Sequence, residues 1–218
     1  MQMKILPTTF ATKVRFILLV VALLCTCYFS NAQVFYYYLA YSPKEGDIIF
    51  QSLPHDGLVD AIEGVTHSPF SHCGVVIREN NKWVVIEAIS NVHTTPLLGW
   101  MLRGRSAGIA VYRLNSKYEY EIPDFKKNLN SYLGLPYNYD YTMSDKEMYC
   151  SGLIYKAFFK TTGEQMGNLE KLGDLDWKPF ESFIKSDQGN ELPLNRIMIT
   201  PASLSHANQI HEIYRKGI

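Results

Sequence analysis

Apolar residues in this chain cluster in short runs, some strand-like and some spaced for helices. Gly46-Asp47-Ile48-Ile49-Phe50 reads as a turn entering a short buried strand. Residues 71–77 and 83–88 are β-branched apolar runs flanking the polar stretch Arg78-Glu79-Asn80-Asn81-Lys82, the pattern of an antiparallel hairpin. Residues 109–114 form another such run. Helical spacing appears over residues 57–64, with Leu58, Ile62 and Val65 on one side, and over 122–133, closed by Gly134 and Pro136. Thr95-Pro96 opens a further helix through Trp100 to Arg103, which Gly104 ends. A tyrosine-rich loop, 137–149, leads into a helix from Cys150 to about Gly163. Residues 164–195 carry no readable motif. Beyond them 196–199 reads as a strand, and Thr200-Pro201 supply the N-cap and first position of a short last helix. Strands interleaved with helices, without repeat or linker, predict one two-layer α+β domain over residues 33–218.

Residues 1–32 follow a different pattern. Lys4, Lys13 and Arg15 precede an apolar run at 16–24, and Ser30-Asn31-Ala32 offers small residues spaced for cleavage before Gln33, which is the layout of a secretory signal peptide. The apolar run is short for a membrane span of about 20 residues, so cleavage and export to the periplasm or outside are expected, with no stable membrane span afterwards. Cys25 follows Leu24, which is not the small residue that lipidation requires. Removing this segment takes away three basic residues and no acidic ones, leaving 18 basic against 21 acidic. A mildly acidic chain gives no reason to expect a nucleic-acid partner.

Two cysteines, Cys73 and Cys150, then remain in an oxidising compartment, where one structural disulfide is the bland reading. Cys150 begins an amphipathic helix, Cys150-Ser151-Gly152-Leu153-Ile154-Tyr155, where unpaired backbone N–H groups and the helix dipole favour a thiolate nucleophile. Such a nucleophile needs a base. His55, His67, His93, His206 and His211 lie in polar or turn-like contexts and read as surface residues. His72 opens a buried strand, and the hairpin places Glu87, near the end of the next strand, opposite it as a carboxylate that could orient the imidazole. Because strand neighbours point to opposite faces, Cys73 is expected to face away from Cys150 if His72 faces it, and no disulfide is expected.

Gly46-Asp47-Ile48-Ile49-Phe50, Ser71-His72-Cys73-Gly74-Val75-Val76, Ile86-Glu87-Ala88, Gly134-Leu135-Pro136-Tyr137-Asn138 and Tyr149-Cys150-Ser151-Gly152-Leu153 occur in an order that resembles the YiiX/YaeF-like permuted papain-fold amidases, relatives of the NlpC-type cell-wall peptidases. The resemblance runs from Gly46 to Ser203. It implies a circularly permuted papain-like fold, an antiparallel sheet or barrel packed against helices, with the histidine strand ahead of the nucleophile. It also implies a triad of Cys150 as nucleophile, His72 as base and Glu87 as orienter, with Tyr137 resembling a substrate-binding tyrosine near the site. Neither metal nor other cofactor is implied. The family often has Cys-Ser-Glu, whereas this chain has Cys150-Ser151-Gly152. The expected activity is hydrolysis of an amide in a peptide, such as one derived from peptidoglycan. Hydrolysis or transfer of an acyl ester, and a catalytically silent binding protein, are the alternatives.

Overall fold

The computed structural model describes Tyr38–Ile218 together with Arg15 and residues 18–20; the expected signal peptide and its cleavage site lie almost wholly outside the described residues. Its centre is a six-stranded antiparallel sheet in the order β4-β3-β2-β1-β5-β8. These strands are β1 (Ile48–Gln51), β2 (His72–Glu79), β3 (Lys82–Ile89), β4 (Asn91–Pro96), β5 (Ile109–Leu114) and β8 (Ile210–Lys216). The helices are α1 (Gly57–Thr66), α2 (Leu97–Arg103), α3 (Ile122–Asn130), α4 (Cys150–Thr162), α5 (Glu181–Asp187) and α6 (Pro201–Ser205). A two-stranded ribbon of β6 (Glu170–Lys171) and β7 (Ile197–Met198) lies apart from the main sheet. Among the described residues, no helix is long and apolar enough to cross a membrane.

The central strand β1 is buried along its whole length because layers pack on both faces. Alternation divides the apolar residues between them. Ile48, Phe50, Val75, Ile77 and Ile86 share a core with Phe125 and Leu129 of α3 and Leu153 and Phe158 of α4. Ile49, Val76, Val85 and Val111 pack on the other face with Leu97, Trp100 and Met101 of α2. Together these residues make a two-sided core around one sheet, so the hairpin that carries the candidate base and acid is rigid.

The β2–β3 hairpin closes through Asn80 and Asn81, both with left-handed backbone (φ 47° and 63°), the conformation a two-residue turn needs to match the strand twist. At the same end of the sheet, on the other side of β2, the Gly46-Asp47 turn has a structural role. Gly46 takes φ +84°, and the fully buried Asp47 carboxylate is held by Arg113 Nε at 2.7 Å and the Tyr41 hydroxyl at 2.6 Å.

Three elements differ from expectation. Residues 91–96 form β4 rather than a turn, and the helix after it starts at Leu97, because Asn91–Pro96 find pairing partners on β3. The C-terminal residues 210–216 form edge strand β8 against β5, a polar strand whose pairing no apolar alternation announces. Within 164–195, α5 forms where Phe180 and Phe183 settle against α1: a Cβ on Gly64 or Gly57 would meet their rings at 1.9 and 2.5 Å. Thr200 caps α6 as expected, its hydroxyl accepting from Ser203 N at 3.0 Å with Pro201 next.

Candidate active site

Cys150 is the first residue of α4, preceded by the extended Tyr149. The opening of such a helix leaves N–H groups without intrahelical acceptors, and they face whatever the first residues surround. Packing fixes this opening. Tyr149 OH accepts from Ile199 N at 3.0 Å, and Ser151 Oγ donates to Ile199 O at 2.7 Å, so both side chains flanking Cys150 clamp the 197–199 segment. Gly152 has a reason of the same kind. A Cβ there would meet the Tyr149 ring at 2.9 and 3.0 Å, so this ring fills the space that any larger residue would need.

His72 opens β2, in register with Gln51, and its Nε2 lies 2.6 Å from Glu87 Oε2. The ring's remaining nitrogen is thereby left for Cys150, which lies close enough for each group to favour the other's charge. The three residues predicted from the sequence are thus brought together in one line, Cys150–His72–Glu87, all buried.

Glu87 is completely buried and richly partnered. It accepts from Thr95 Oγ1 at 2.6 Å and Trp100 Nε1 at 2.9 Å, and pairs with Arg103, while His93 Nε2 stands 3.7 Å away. The Trp100 ring also lies against the His72 imidazole, with centroids 5.9 Å apart. These supporting residues were not identified from the sequence. Trp100 and Arg103 were recognised only as parts of a helix, and His93, read as a surface residue, is a half-buried strand residue paired in register with Glu87. A Trp and an Arg one turn apart, following a strand that must cover a buried acid, are the signal that was available. The exposed His55, His67, His206 and His211 lie outside this arrangement.

The electrostatics follow from these contacts. Burial by itself would raise the Glu87 pKa, but the hydrogen bond and charge of His72, then those of Arg103, outweigh it and hold the carboxyl at about 2. Burial would likewise lower His72, yet its hydrogen bonds to Cys150 and Glu87 push it up to about 9. The Cys150 thiol is driven well below the ordinary range by a hydrogen bond from the Cys73 side chain, against burial, and with further help from His72 and a Cys73 backbone hydrogen bond. At neutral pH the site is therefore an ion pair of thiolate and imidazolium, flanked by a carboxylate.

Cys73 corrects one expectation. It does lie on the sheet face opposite His72, in the core shared with α4, but that is the face against which the Cys150 helix is laid. The start of α4 sits at the mouth of β2, so consecutive strand residues both reach Cys150, one from each face. The two cysteines are free and lie next to each other. Burial, then its hydrogen bond to Cys150, holds the Cys73 thiol protonated.

Tyr137 is carried beside Cys150 by the loop, where Tyr137 bridges to Met148 and Asn138 N donates to Met148 O at 3.2 Å. Burial raises its pKa and its hydroxyl pairs with Tyr141, so it stays a protonated donor at the edge of the site. Gln51, beside His72, is a further buried polar side chain; neither of its amide atoms has a partner among the described residues.

Beside Cys150 opens a cleft enclosing about 710 Å³, its open mouth included, between α1, α5, the 196–201 segment and Tyr137, Tyr141 and Tyr149. Among the described residues, no group of three or more His, Cys, Asp or Glu side chains is arranged to hold a metal ion.

Known proteins resemble this chain in sequence and fold. The YiiX protein of Escherichia coli K12, itself uncharacterized, is 29% identical over 180 residues, which is 81% of this chain and 89% of YiiX. The crystal structure of YiiX from Escherichia coli O157:H7, described as a metalloprotein, superposes with a TM-score of 0.75 over 81% of this chain and 99% of that one. The family described as permuted papain-like amidase enzymes, YaeF/YiiX, C92 family, matches residues 42–214, and this chain therefore belongs to the permuted papain-like cysteine amidases.

Proposed function

We propose that this chain is an exported amidase that hydrolyses an amide bond in a cell-envelope peptide or acylated amine, with Cys150 as nucleophile, His72 as acid–base and Glu87 as its orienting partner. The observation that carries this reading is the buried line from thiolate to imidazolium to carboxylate, whose members hold one another charged.

The Cys150 thiolate attacks the carbonyl carbon, and the electron pair of the C=O bond moves to oxygen. That oxyanion forms next to the free N–H groups of the α4 opening, with Tyr137 as a second donor once its hydroxyl turns from Tyr141; loss of one such donor typically lowers rates by roughly 10²–10³. His72 gives its proton to the departing nitrogen, the C–N bond breaks, and an acyl thioester remains on Cys150. Neutral His72 then takes a proton from water as the oxygen attacks the thioester. Collapse releases the acid and restores thiolate and imidazolium. Glu87, fixed by Thr95, Trp100 and Arg103, keeps the ring oriented throughout.

Export by a signal peptide over residues 1–32 would set this activity beside envelope peptides. An acyl ester as substrate is the second reading, favoured by the apolar character of the cleft beside Cys150. Incubating the exported protein with peptidoglycan stem peptides, acyl amides and acyl esters separates the two, with Cys150→Ala as the blank. Cleavage of esters alone would overturn the amidase reading. Iodoacetamide labelling of Cys150 at the rate of an ordinary exposed thiol, unchanged in His72→Ala, would point instead to a silent binding protein.

A further inference from the structure

Resting on the reading of Cys150, His72 and Glu87 as the catalytic line, we propose that Gln51 is a positioning residue: with Arg103 it holds one buried water behind His72 and Glu87, and that water fixes the arginine that fixes the acid. Alternation puts Gln51 on the sheet face of Ile49, the face that α2 covers, and its register partner His72 shares that face with Val76. In the strand order β3-β2-β1 the imidazole therefore has Glu87 on one flank and the Gln51 side chain on the other.

Gln51 is fully buried, and among the described residues neither end of its amide has a hydrogen-bond partner. Its backbone is pinned. The Gln51 carbonyl accepts from Ser71 N at 3.2 Å, and the Ser52 carbonyl accepts from Arg105 N at 2.7 Å, which ties the end of β1 to the start of β2 on one side and to the turn after α2 on the other. The amide rests against Gly104: a Cβ there would meet Gln51 Oε1 at 2.6 Å, so the glycine makes room for the side chain. Burying an amide with both ends unpaired is costly, and a leucine would fill the same place without that cost, so the amide marks a seat for something polar.

Arg103 supplies the other half of that seat. Its Nε is also buried and unpartnered among the described residues, while its terminal nitrogen pairs with Glu87 Oε2, the oxygen that His72 Nε2 and Trp100 Nε1 share. The arginine side chain thus runs from the residue next to Gly104 to the acid, with Nε on the way. Two donors, Gln51 Nε2 and Arg103 Nε, and one acceptor, Gln51 Oε1, suit a single water, because buried waters typically make about three hydrogen bonds. Such a water links β1 to the guanidinium, sets the tilt at which Arg103 clamps Glu87, and so keeps His72 aimed at Cys150.

The test joins a high-resolution crystal structure of the exported protein to a double-mutant cycle of Gln51→Leu and Arg103→Lys, read by kcat, KM and urea midpoint. We expect a water peak within hydrogen-bond distance of the Gln51 amide and Arg103 Nε, and its loss in Gln51→Leu. That variant should keep its fold and its KM and lose about tenfold to a hundredfold in kcat, whereas in the Arg103→Lys background the same change should cost about twofold or less, because the link is already cut. Gly104→Ala, which drives a methyl into the amide oxygen, should reproduce the kcat loss. An unaltered kcat in Gln51→Leu, or single losses that multiply in the double variant, would overturn the positioning role, and crystals without the water would overturn the site. A parent protein that hydrolyses neither amides nor esters, with the water present and non-additive urea midpoints, would support the water site and sink the catalytic reading of Cys150.

Discussion

Glu87→Gln removes one charge from the site while keeping the side chain's shape, and its effect can be worked out from the structure. The carboxyl is held at about 2 against an ordinary 4.5. A difference of about 2.5 pH units, at about 1.4 kcal/mol each, is roughly 3 kcal/mol of net preference for the charged form, and it remains after burial has opposed it, so the His72 and Arg103 cations together supply at least that much. If His72, the larger of the two contributions, supplies half or more, the imidazolium loses at least roughly 1–2 kcal/mol and its pKa drops by about one unit or more. The parent protein holds His72 at about 9, so its kcat/KM should stay flat through neutral pH and fall only as His72 loses its proton near 9. In Glu87→Gln the alkaline limb should move down to about 8 or below, and activity on the flat part should drop by about tenfold to a hundredfold as the ring's orienting acceptor loses its charge. The assay is a pH profile of kcat/KM with any cleaved amide, backed by pH-dependent alkylation of Cys150. An alkaline limb that stays near 9 with unchanged alkylation would refute the idea that Glu87 supports the imidazolium.

Acid stability should show the same carboxylate: because the folded pKa is depressed, its contribution is present above about pH 4.5 and is lost as pH falls through about 2, so urea midpoints measured down that range should fall less in Glu87→Gln than in the parent. Trp100→Phe keeps the ring beside His72 but deletes the 2.9 Å bond to Glu87, and should cost about 1.5–3 kcal/mol in thermal or chemical unfolding with a smaller downward move of the alkaline limb. Gly152→Ala would press a methyl into the Tyr149 ring and loosen its hold on Ile199; we expect about 1–3 kcal/mol of destabilisation by denaturant melt and slower labelling of Cys150. Treatment with hydrogen peroxide should oxidise Cys150 to a sulfenic acid that the adjacent Cys73 thiol condenses with, releasing water; mass spectrometry should find a disulfide reversible by dithiothreitol, and Cys73→Ala should instead pass to irreversible acids.

Much of the site was legible along the chain because its parts are local. A cysteine ahead of an amphipathic run marks a helix opening, and the polar turn at Asn80-Asn81 sets the pairing that brings Glu87 to His72, so periodicity made the three residues candidates and the resemblance to the permuted papain-fold amidases joined them as a triad. What surrounds them was not legible. β4 and α2 supply Thr95, Trp100 and Arg103 to the acid, and nothing in their residue types says that they fold over Glu87 rather than over any other part of the sheet. The proximity of Cys73 shows the same limit. Alternation correctly assigns neighbouring strand residues to opposite faces, but the helix opening lies at the end of the strand, where both faces are within reach, and that position is set by packing across the core. The cleft was least visible of all, because it is assembled from α1, α5 and the 196–201 segment, whose separate apolar residues look like ordinary core. By itself the sequence determined most of the strands and helices, though not β4, β8 or α5, and the chemistry of a helix-borne thiol, since these depend on residues close together in the chain. Only the tertiary structure decided which groups hold the charges in place and what shape of substrate the thiol can meet, since those depend on elements that are distant in sequence and brought together by burial.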